Sequence, residues 1–388
     1  MRLLFTSHLY PNTVEPGEAP FHRQLVKALG RQVDVRVMAP VPVRPFKHLP
    51  PVLEQLDGIE VRHPRVFYTP GFLIHHHWRM FRHAIEPAFR SLADTWRPDR
   101  VLAGFIYPDA AAWVPLCHSM GVPCSVRVNG SDFRLRFHQP AFRDRVLTTL
   151  LQADHVFGHG RRLVGEMTAA GVPADRLTAV WNGIDHDRFN PQSRTESRRH
   201  LLQNGHPRLA DPALRLVLAV GHLDPVKGQD QLLKAWQQVV ADRADYDNLL
   251  LVLIGVGSKR RDWEALADRY GIRHLVYFAG ARPHDEIPQW MNAADCLCLP
   301  SRSEGTPNVV LESLACGTPV VATGVGEVPE LLKEGITGFV VETGSGDYAD
   351  PLTRGILTAL RHPWDRALIS ASAAAYTWDR TAREILGL

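Results

Sequence analysis

Two glutamates, Glu304 and Glu312, are separated by seven residues and lie around a predicted helix start. Thr306 is a plausible N-cap, Pro307 fits the first helical position, and Gly317 fits the residue just past the helix end. Glu304 then lies in the loop before the helix, and Glu312 lies about one and a half turns into it. Carboxylates placed in this way can accept hydrogen bonds from hydroxyl groups.

The backbone at this helix start adds a second binding group. The first N–H groups of a helix have no acceptor within it, and those of Asn308 and Val309 suit a phosphate. Because a phosphate would repel both carboxylates, the expected partners of Glu304 and Glu312 are neutral hydroxyls such as those of a sugar. The combination predicts a sugar nucleotide as the ligand.

The neighbouring sequence positions these groups. The runs CLCLP (296–300) and PVVAT (319–323) are typical of buried strands, so the helix is expected to lie in a β-α-β crossover. Glu304 would then follow the carboxyl end of a strand, where open α/β sheets bind their ligands.

A loop between two glycines in the same half carries a cation. Gly221–Gly228 follows the run RLVLAV and precedes a predicted helix, and Lys227 can place a positive charge on a diphosphate. Gly221 permits close approach of the backbone to a ligand. An exposed lysine without a ligand is the alternative. We favour the diphosphate because the loop is expected to share a domain with both glutamates.

Three further glycines, Gly255, Gly257 and Gly280, follow the next two predicted strands. Each alone indicates a turn, but the set indicates a ligand-binding edge. Arg282 is a candidate for contact with a nucleotide base, and an ordinary exposed arginine is the alternative. Gly257 and Arg282 are therefore predicted to bind the nucleoside.

The first half contains weaker candidates. Gly17, in the PGEAP loop after the first strand, either approaches a phosphate or belongs to a plain turn. Asn129 and Asp132 follow another strand and either contact the sugar or belong to a tight Asn-Gly turn. The loop after the first strand lacks GxGxxG, which disfavours a dinucleotide-dependent dehydrogenase.

Alternating strand-like runs and helical patterns predict an α/β fold of two doubly wound, Rossmann-like domains facing each other across a cleft. The first domain is expected over residues 1–180, with a C-terminal helix of about 370–388 crossing back onto it, and the second over 181–369. The strands predicted in the first half are RLLFTS (2–7), VDVRVMAP (33–40), RVLAGF (100–105), PCSVRVNG (123–130) and DHVFGHG (154–160).

Charge divides unevenly between the two halves. Residues 1–180 hold 22 Lys and Arg against 15 Asp and Glu, whereas residues 181–388 hold 22 against 26. The basic half suggests an anionic partner such as a membrane surface, with uneven surface charge as the alternative, and no nucleic acid is expected. Residues 72–97 mix aromatic side chains with cations, as a membrane-surface helix does, although a core-facing helix is the commoner explanation.

Cysteine usage indicates the compartment. The five cysteines form no CxxC pair and no metal-ligand spacing, which predicts a reduced, cytoplasmic chain without a bound metal.

Four features together resemble the retaining glycosyltransferases of family four, which have the GT-B fold. These features are the Glu304–Glu312 pair, GHLDPVKG (221–228), WNGID (181–185) and GEVPE (326–330). The resemblance extends from the first strand to Trp378 and is more specific in the second half.

The resemblance implies roles for matching residues. Glu304 would hold hydroxyls of the transferred sugar with help from amides near Gly305, Asn308 and Val309. Glu312 would hold the ribose, and Lys227 would neutralise the diphosphate without a metal. The sugar would also meet Asn129 and Asp132. The residues expected around the diphosphate are Gly17, Gly221, His222, Lys227, Asn308 and Val309.

Two positions depart from the family pattern. His222 stands where the family commonly has arginine, so stabilisation of the diphosphate would depend more on Lys227. Asn129 stands where the family often has histidine, and asparagine cannot accept a proton.

The implied reaction is transfer of a sugar, with retained configuration, from a nucleoside-diphosphate sugar to an acceptor hydroxyl. No cofactor is expected. The acceptor would be a sugar, a polysaccharide or a lipid-linked molecule in envelope polysaccharide or glycolipid synthesis, with the enzyme cytoplasmic or peripheral on the inner face of the plasma membrane. The alternatives are a sugar-nucleotide epimerase of the same fold, a glycosidase using Glu304 and Glu312, and a non-catalytic sugar-nucleotide-binding subunit.

Overall fold

The computed structural model of the protein describes residues 1–43, 48–67, 71, 73–203, 207–242, 248–344 and 346–388. These residues divide into two compact units, Met1–Gly183 with Trp378–Leu388, and Ile184–Thr377. Each unit is an α/β structure built on a mainly parallel sheet, which confirms the predicted fold class.

The described part of the first unit has ten strands: β1 (Arg2–Thr6), β2 (Asp34–Met38), β3 (Val41–Pro42), β4 (Leu53–Leu56), β5 (Ile59–Arg62), β6 (Arg65–Val66), β7 (Arg100–Ala103), β8 (Cys124–Val128), β9 (His155–His159) and β10 (Leu177–Val180). Eight form one sheet in the order β10-β9-β8-β7-β1-β2-β5-β4, in which the β4–β5 pair is antiparallel. The five predicted strands are confirmed. The unpredicted ones are short or lie towards the sheet margins, where the apolar pattern is weak.

Six helices of this unit precede residue 183: α1 (Pro20–Gly30), α2 (His77–Thr95), α3 (Ala111–Ser119), α4 (Ser131–Phe137), α5 (Pro140–Gln152) and α6 (Arg161–Ala169). Alternate residues of β1 belong to two different hydrophobic cores. Leu3 and Phe5 pack with Leu25 of α1, whereas Leu4 belongs to the core that contains Phe89 of α2. Helices therefore cover both faces of the sheet.

Helix α2 is a core-facing helix. Phe81, Ile85 and Phe89 recur at its buried face, each at most 3% exposed. The core-facing explanation of residues 72–97 is therefore confirmed for these side chains, and Phe72 lies outside the described residues.

Six strands lie in the second unit as far as its residues are described: β11 (Arg215–Val220), β12 (Leu249–Ile254), β13 (Val276–Gly280), β14 (Cys296–Leu299), β15 (Val320–Thr323) and β16 (Gly338–Val341). All are parallel, in the order β13-β12-β11-β14-β15-β16. The chain winds outward from β11 to β13 and then starts again on the other side at β14. The strand order therefore reverses between β11 and β14, and such reversals form ligand crevices at the carboxyl ends of the strands.

The helices of the second unit are α7 (Arg194–Gln203), α8 (Gln229–Ala241), α9 (Arg260–Arg269), α10 (Ile287–Ala293), α11 (Asn308–Ala315), α12 (Val328–Leu331), α13 (Ala349–Arg361) and α14 (Arg366–Ala373), and α15 (Trp378–Leu386) belongs to the first unit. The helix expected over about 370–388 is thus two helices. Between them, the backbone N–H of Ile184 donates to the carbonyl of Tyr376, and Ile184 bridges Thr377. This extended pairing is incompatible with a continuous helix.

All five cysteines are buried as free thiols: Cys117 and Cys124 in the first unit, and Cys296, Cys298 and Cys316 in the second. Within the described part of the chain, no helix combines the length and the apolar character needed to cross a bilayer.

Candidate functional site

Lys227 and Glu304 meet where the strand order of the second unit reverses. Lys227 lies in the loop after β11, and Glu304 lies in the loop after β14. The Lys227 ammonium donates to Glu304 Oε1 over 2.7 Å, and the Ser301 hydroxyl donates to the same oxygen over 2.6 Å. The Glu304 side chain is 9% exposed and that of Lys227 is 27% exposed. The structure thus brings together the two residues predicted to be catalytic.

Gly228 controls how Lys227 is presented. It ends a 3-10 turn over Pro225–Lys227 with φ +69°, a conformation that side chains disfavour. A Cβ atom there would lie 2.0 Å from the Pro300 carbonyl oxygen and 2.6 Å from the Tyr348 hydroxyl. The Tyr348 hydroxyl itself donates to the Pro300 oxygen over 2.7 Å. Only glycine fits between these groups.

Two glycines of the predicted ligand edge serve to pack neighbouring loops. Cβ atoms at Gly255 and Gly257 would lie 2.0 Å from the Gly221 oxygen and 2.3 Å from the Leu223 oxygen. The backbone N–H of Leu223 donates to the Val256 carbonyl over 2.9 Å, so the loops after β11 and β12 are in direct backbone contact. Loop packing accounts for Gly257, and its predicted contact with a nucleoside stays a prediction.

The GEVPE segment supports the loop that carries Glu304. Gly326 has φ +57°, and a Cβ atom there would lie 2.3 Å from the Gly305 oxygen. The Glu327 amide donates to that oxygen over 3.1 Å. Gly326 therefore lets the loop after β15 lie against the loop after β14.

Helix α11 begins one residue later than predicted. Pro307, with ψ +102°, is the N-cap, so the assignment of Thr306 as N-cap and Pro307 as first helical residue is wrong. Gly317 follows the helix with φ +71°, as predicted. Asn308 and Val309 are the first two helical residues. The amide of Val309 has no hydrogen-bond acceptor within the described chain, so it is available to an anion.

Glu312 lies on the second turn of α11, beside a histidine. His284 Nδ1 accepts from Arg188 over 2.7 Å, which leaves the proton on His284 Nε2, 3.4 Å from Glu312 Oε1. Arg188 also pairs with Asp285 at 3.0 Å. Glu312 thus keeps carboxylate surface for another donor, since its side chain is 20% exposed.

Arg282 makes a side-chain hydrogen bond within the second unit, whereas the His222 side chain is exposed. Arg282 Nη2 donates to the Tyr277 hydroxyl over 2.7 Å, which holds the guanidinium against β13, the strand that precedes Arg282. His222 has an exposed side chain, and its carbonyl accepts from Gln229 over 2.7 Å. Their predicted contacts with base and diphosphate stay predictions.

In the first unit, Asp132 organises its loop. Its carboxylate accepts from the backbone N–H groups of Ile106, Asn129 and Phe133 at 3.0–3.2 Å. Burial raises the pKa of Asp132 to about 6, although these donors act in the opposite direction. Asn129 Nδ2 donates to the Gly104 carbonyl over 2.7 Å. The loop is therefore preorganised, and contact with a sugar stays a prediction.

Gly17 is exposed, and a Cβ atom there would meet nothing within 4 Å. The fold of the first unit therefore imposes no need for glycine at this position. The predicted approach of Gly17 to a phosphate stays a prediction.

A histidine–aspartate pair in the first unit was missed by the sequence reasoning. His8 follows β1 and Asp109 follows β7, its neighbour in the sheet. His8 Nδ1 lies 2.6 Å from Asp109 Oδ2, and the His8 backbone N–H donates to Asp109 Oδ1 over 2.9 Å. Asp109 is fully buried, whereas the His8 side chain is 23% exposed. His8 lines a cavity of about 390 Å³ together with Tyr10, Asn12 and Glu15.

The His8–Asp109 geometry determines what the imidazole offers. Because Nδ1 faces the buried carboxylate, a ring with one proton carries it on Nδ1. Nε2 then has a free lone pair and no hydrogen-bond partner among the described residues. A histidine directly after the first strand was the available sequence signal, but its partner lies 101 positions away.

The sequence is similar to known glycosyltransferases along most of its length. Residues 207–373 match the family described as "Glycosyl transferases group 1", and residues 21–188 match "Glycosyltransferase Family 4". The D-inositol 3-phosphate glycosyltransferase of Thermomonospora curvata is 30% identical, over 92% of this chain and 86% of the relative. D-inositol 3-phosphate glycosyltransferase 1 of Catenulispora acidiphila is 28% identical with the same coverage.

Solved structures share the fold. Sucrose-phosphate synthase from Thermosynechococcus elongatus has a TM-score of 0.78 at 20% identity, covering 100% of this chain and 98% of the other. Anabaena HepE in complex with UDP-glucose has a TM-score of 0.71 at 19% identity, covering 100% and 99%. The family matches and the sequence relatives favour transfer over the epimerase and binding-subunit alternatives. The chain belongs to the group 1, family 4 glycosyltransferases.

Proposed function

We propose that the protein transfers a sugar from a nucleoside-diphosphate sugar to an acceptor hydroxyl with retained configuration and without a metal. The meeting of Lys227 and Glu304 at the reversal of strand order carries this proposal. HepE, a neighbour in fold, is described in complex with UDP-glucose, which makes UDP-glucose the first donor to test.

In the proposed site, Lys227 exchanges partners when the donor binds. Its ammonium would turn from Glu304 to the diphosphate, and Glu304 would then accept hydrogen bonds from sugar hydroxyls. The Val309 amide, at the start of α11, would donate to the same diphosphate. Glu312, further along α11, would accept from the ribose hydroxyls.

The proposed reaction breaks the bond between the anomeric carbon and the diphosphate oxygen. The acceptor oxygen forms its bond to the same face of that carbon, and its proton passes to the departing diphosphate. Lys227 stabilises the negative charge that develops on the leaving group, and this kind of stabilisation is commonly the largest contribution to catalysis. Neither Glu304 nor Glu312 needs to form a covalent bond.

The acceptor is proposed to bind in the first unit. The 390 Å³ cavity beside His8 has the size of a small-molecule site and contains hydrogen-bonding groups from Tyr10, Asn12 and Glu15. The relatives are named for D-inositol 3-phosphate, so this compound is the first acceptor to test. An acceptor from envelope polysaccharide or glycolipid synthesis is the other arm of the same test.

The decisive experiment measures product formation and its stereochemistry. The protein is incubated with UDP-, GDP- or ADP-glucose and each acceptor, and the product is analysed by mass spectrometry and proton NMR. A new α-linked glucoside from an α-configured donor supports the proposal. An inverted product contradicts retention, and isomerisation of the donor without an acceptor contradicts transfer.

We also propose that the first unit contacts an anionic membrane surface. Support comes from the cationic excess of residues 1–180 and from exposed Leu73 and Ile74 near exposed Arg79. Sedimentation with phosphatidylglycerol vesicles at low salt tests it, with phosphatidylcholine vesicles as the control. Absence of binding to the anionic vesicles would contradict it.

A further inference from the structure

A cavity of about 120 Å³ lies at the amino edge of the second unit's sheet. Arg215 begins β11 and Asp295 directly precedes β14, so both lie at the amino ends of their strands. Lys227 and Glu304 follow the carboxyl ends of the same two strands. The cavity is therefore on the opposite edge of the sheet from the proposed donor site. Its charged and aromatic lining consists of Arg194, Arg215, Arg366, His362, Trp364 and Asp295.

Three arginines converge on one carboxylate at this edge. Arg194 and Arg215 donate to Asp295 Oδ1 over 2.8 and 3.1 Å, and Arg198 donates to Oδ2 over 3.2 Å. Asp295 Oδ2 also accepts the backbone N–H of Leu216 over 2.8 Å. One negative charge therefore faces three positive ones, and the carboxylate already has four donors.

Arg366 increases the positive charge further. Its guanidinium donates only to neutral oxygens within the described chain, among them the Cys316 carbonyl at 3.2 Å and the Thr318 hydroxyl at 3.1 Å. Burial and the charge of Arg194 lower the pKa of Arg366 to about 10, which still leaves it charged near neutral pH. Among the described residues, Arg366 thus makes no hydrogen bond to a carboxylate, and Asp295 acts on it only through longer-range charge attraction.

We propose that this arginine-lined cavity binds a phosphate group, from inorganic phosphate or from a phosphorylated metabolite. Guanidinium groups suit phosphate oxygens because they donate two parallel hydrogen bonds. Pockets for drug-sized ligands hold about 300–1,000 Å³, so 120 Å³ admits a single phosphate group rather than a nucleotide. Binding there would neutralise the excess charge and connect α7 to the segment that begins α14.

Isothermal titration calorimetry with sodium phosphate tests the site on the whole protein. Sodium chloride keeps the ionic strength constant, because exposed charges are screened by salt. The wild type is expected to bind one phosphate. Arg194→Gln and Arg366→Gln are each expected to weaken binding by about tenfold or more, since each removes a charge-assisted donor.

Two variants locate the bound phosphate. Arg269→Gln removes an exposed arginine of α9 that does not line the cavity, and its affinity should equal that of the wild type. Lys227→Ala should also leave this binding unchanged, because Lys227 lies on the other edge of the sheet. Loss of binding in Lys227→Ala with retention in Arg194→Gln would overturn the proposal. Absence of saturable binding by the wild type up to about 10 mM would also overturn it.

Folding and ligand identity have their own controls. Circular dichroism checks each variant, and Arg194→Gln decides alone if Arg366→Gln does not fold, because the Arg194 side chain is 37% exposed. Glucose 6-phosphate in place of inorganic phosphate distinguishes the sources: tighter binding identifies a phosphorylated metabolite, and equal or weaker binding identifies phosphate itself. The assay requires no turnover, so its outcome is independent of the sugar transfer.

Discussion

Lys227 and Glu304 neutralise each other in the second unit, at a separation of 2.7 Å. An anion that binds here must separate the two charges. The favourable free energy of its binding is therefore reduced by the stabilisation that the Lys227–Glu304 pair loses. Separation of the pair also leaves the Glu304 carboxylate without its lysine partner, beside the bound anion. A ligand that presents a diphosphate and hydroxyl groups together satisfies both residues, whereas free diphosphate satisfies only Lys227.

Replacement of Lys227 by alanine is expected to lower kcat. If Lys227 stabilises the leaving group as an oxyanion-hole donor does, the barrier rises by about 2–4 kcal/mol, a loss of roughly 30- to 1,000-fold. The measurement is the steady-state rate with saturating donor and acceptor. Lys234→Ala is the control, because Lys234 pairs with Asp347 in an exposed position on α8. Equal rates for the Lys227 variant and the control would contradict the assigned role.

Asp109→Asn is expected to reduce the efficiency of transfer to the acceptor. Loss of the buried charge frees the His8 ring from a fixed orientation, and a hydrogen bond to a charged group contributes about 1.5–3 kcal/mol. KM for the acceptor should rise, or kcat should fall, by about 10- to 100-fold, and His8→Ala should act similarly. Donor affinity, measured by calorimetry, should not change. A change in donor affinity with an unaltered acceptor KM would contradict this assignment.

Sequence reasoning identified residues whose position follows from a single strand and its loop. Lys227 and Glu304 each follow a predicted strand, so both could be placed at the same edge. His8 and Asp109 meet only because β1 lies beside β7, and strand order is not encoded in local patterns. The arginines around Asp295 escaped prediction for the same reason.

The glycines of the second unit allow whole loops to pack against each other. Sequence reasoning interpreted the set after successive strands as a ligand edge. In the structure, Gly255, Gly257 and Gly326 allow neighbouring loops to contact each other through their backbones. This packing role was not predicted, because contacts between loops depend on tertiary structure, and the ligand-binding edge stays a prediction.

Gly228→Ala is expected to destabilise the protein and displace Lys227. The left-handed conformation costs a side chain about 1–2 kcal/mol, and the contact with the Pro300 oxygen adds further strain. The free energy of unfolding, measured with urea, should fall by about 2 kcal/mol or more. Gly165→Ala in α6 is the matched control, because a Cβ atom there meets nothing within 4 Å. An equally small effect of both substitutions would contradict the steric argument.

Helix ends were less predictable than the helices themselves. The start of α11 moved by one residue because Pro307 adopts an extended ψ, which the local sequence permits but does not require. The last helix was predicted as one segment because its apolar pattern continues. The pairing of Ile184 with Thr377 interrupts it, and these residues are distant in sequence.

Over the whole molecule, His22 is expected to contribute to acid sensitivity. This side chain is fully buried, its Nδ1 donates to the Leu9 carbonyl, and Nε2 has no hydrogen-bond partner among the described residues. Burial lowers its pKa to about 3, against 6.5 for an ordinary histidine. Below pH 6.5 the unfolded chain takes up a proton that the folded chain does not, so stability is lost as the pH falls.

The size of this effect is measurable. Between pH 7 and pH 5, His22 is expected to remove about 2 kcal/mol from the free energy of unfolding. His22→Gln keeps a donor for the Leu9 carbonyl but does not titrate in this range. The wild type should therefore lose about 2 kcal/mol more than the variant in urea titrations at the two pH values. Parallel losses would show that His22 is not the responsible group.

The distribution of the buried thiols makes the protein its own reporter of partial unfolding. Two lie in one unit and three in the other, and none reaches solvent in the folded state. A thiol reagent can modify them only after the surrounding core opens, so the rate of labelling measures that opening. Peptide mapping would separate the two sets and time the opening of each half independently. A donor analogue would then be expected to slow labelling at positions 296, 298 and 316 while leaving 117 and 124 unaffected.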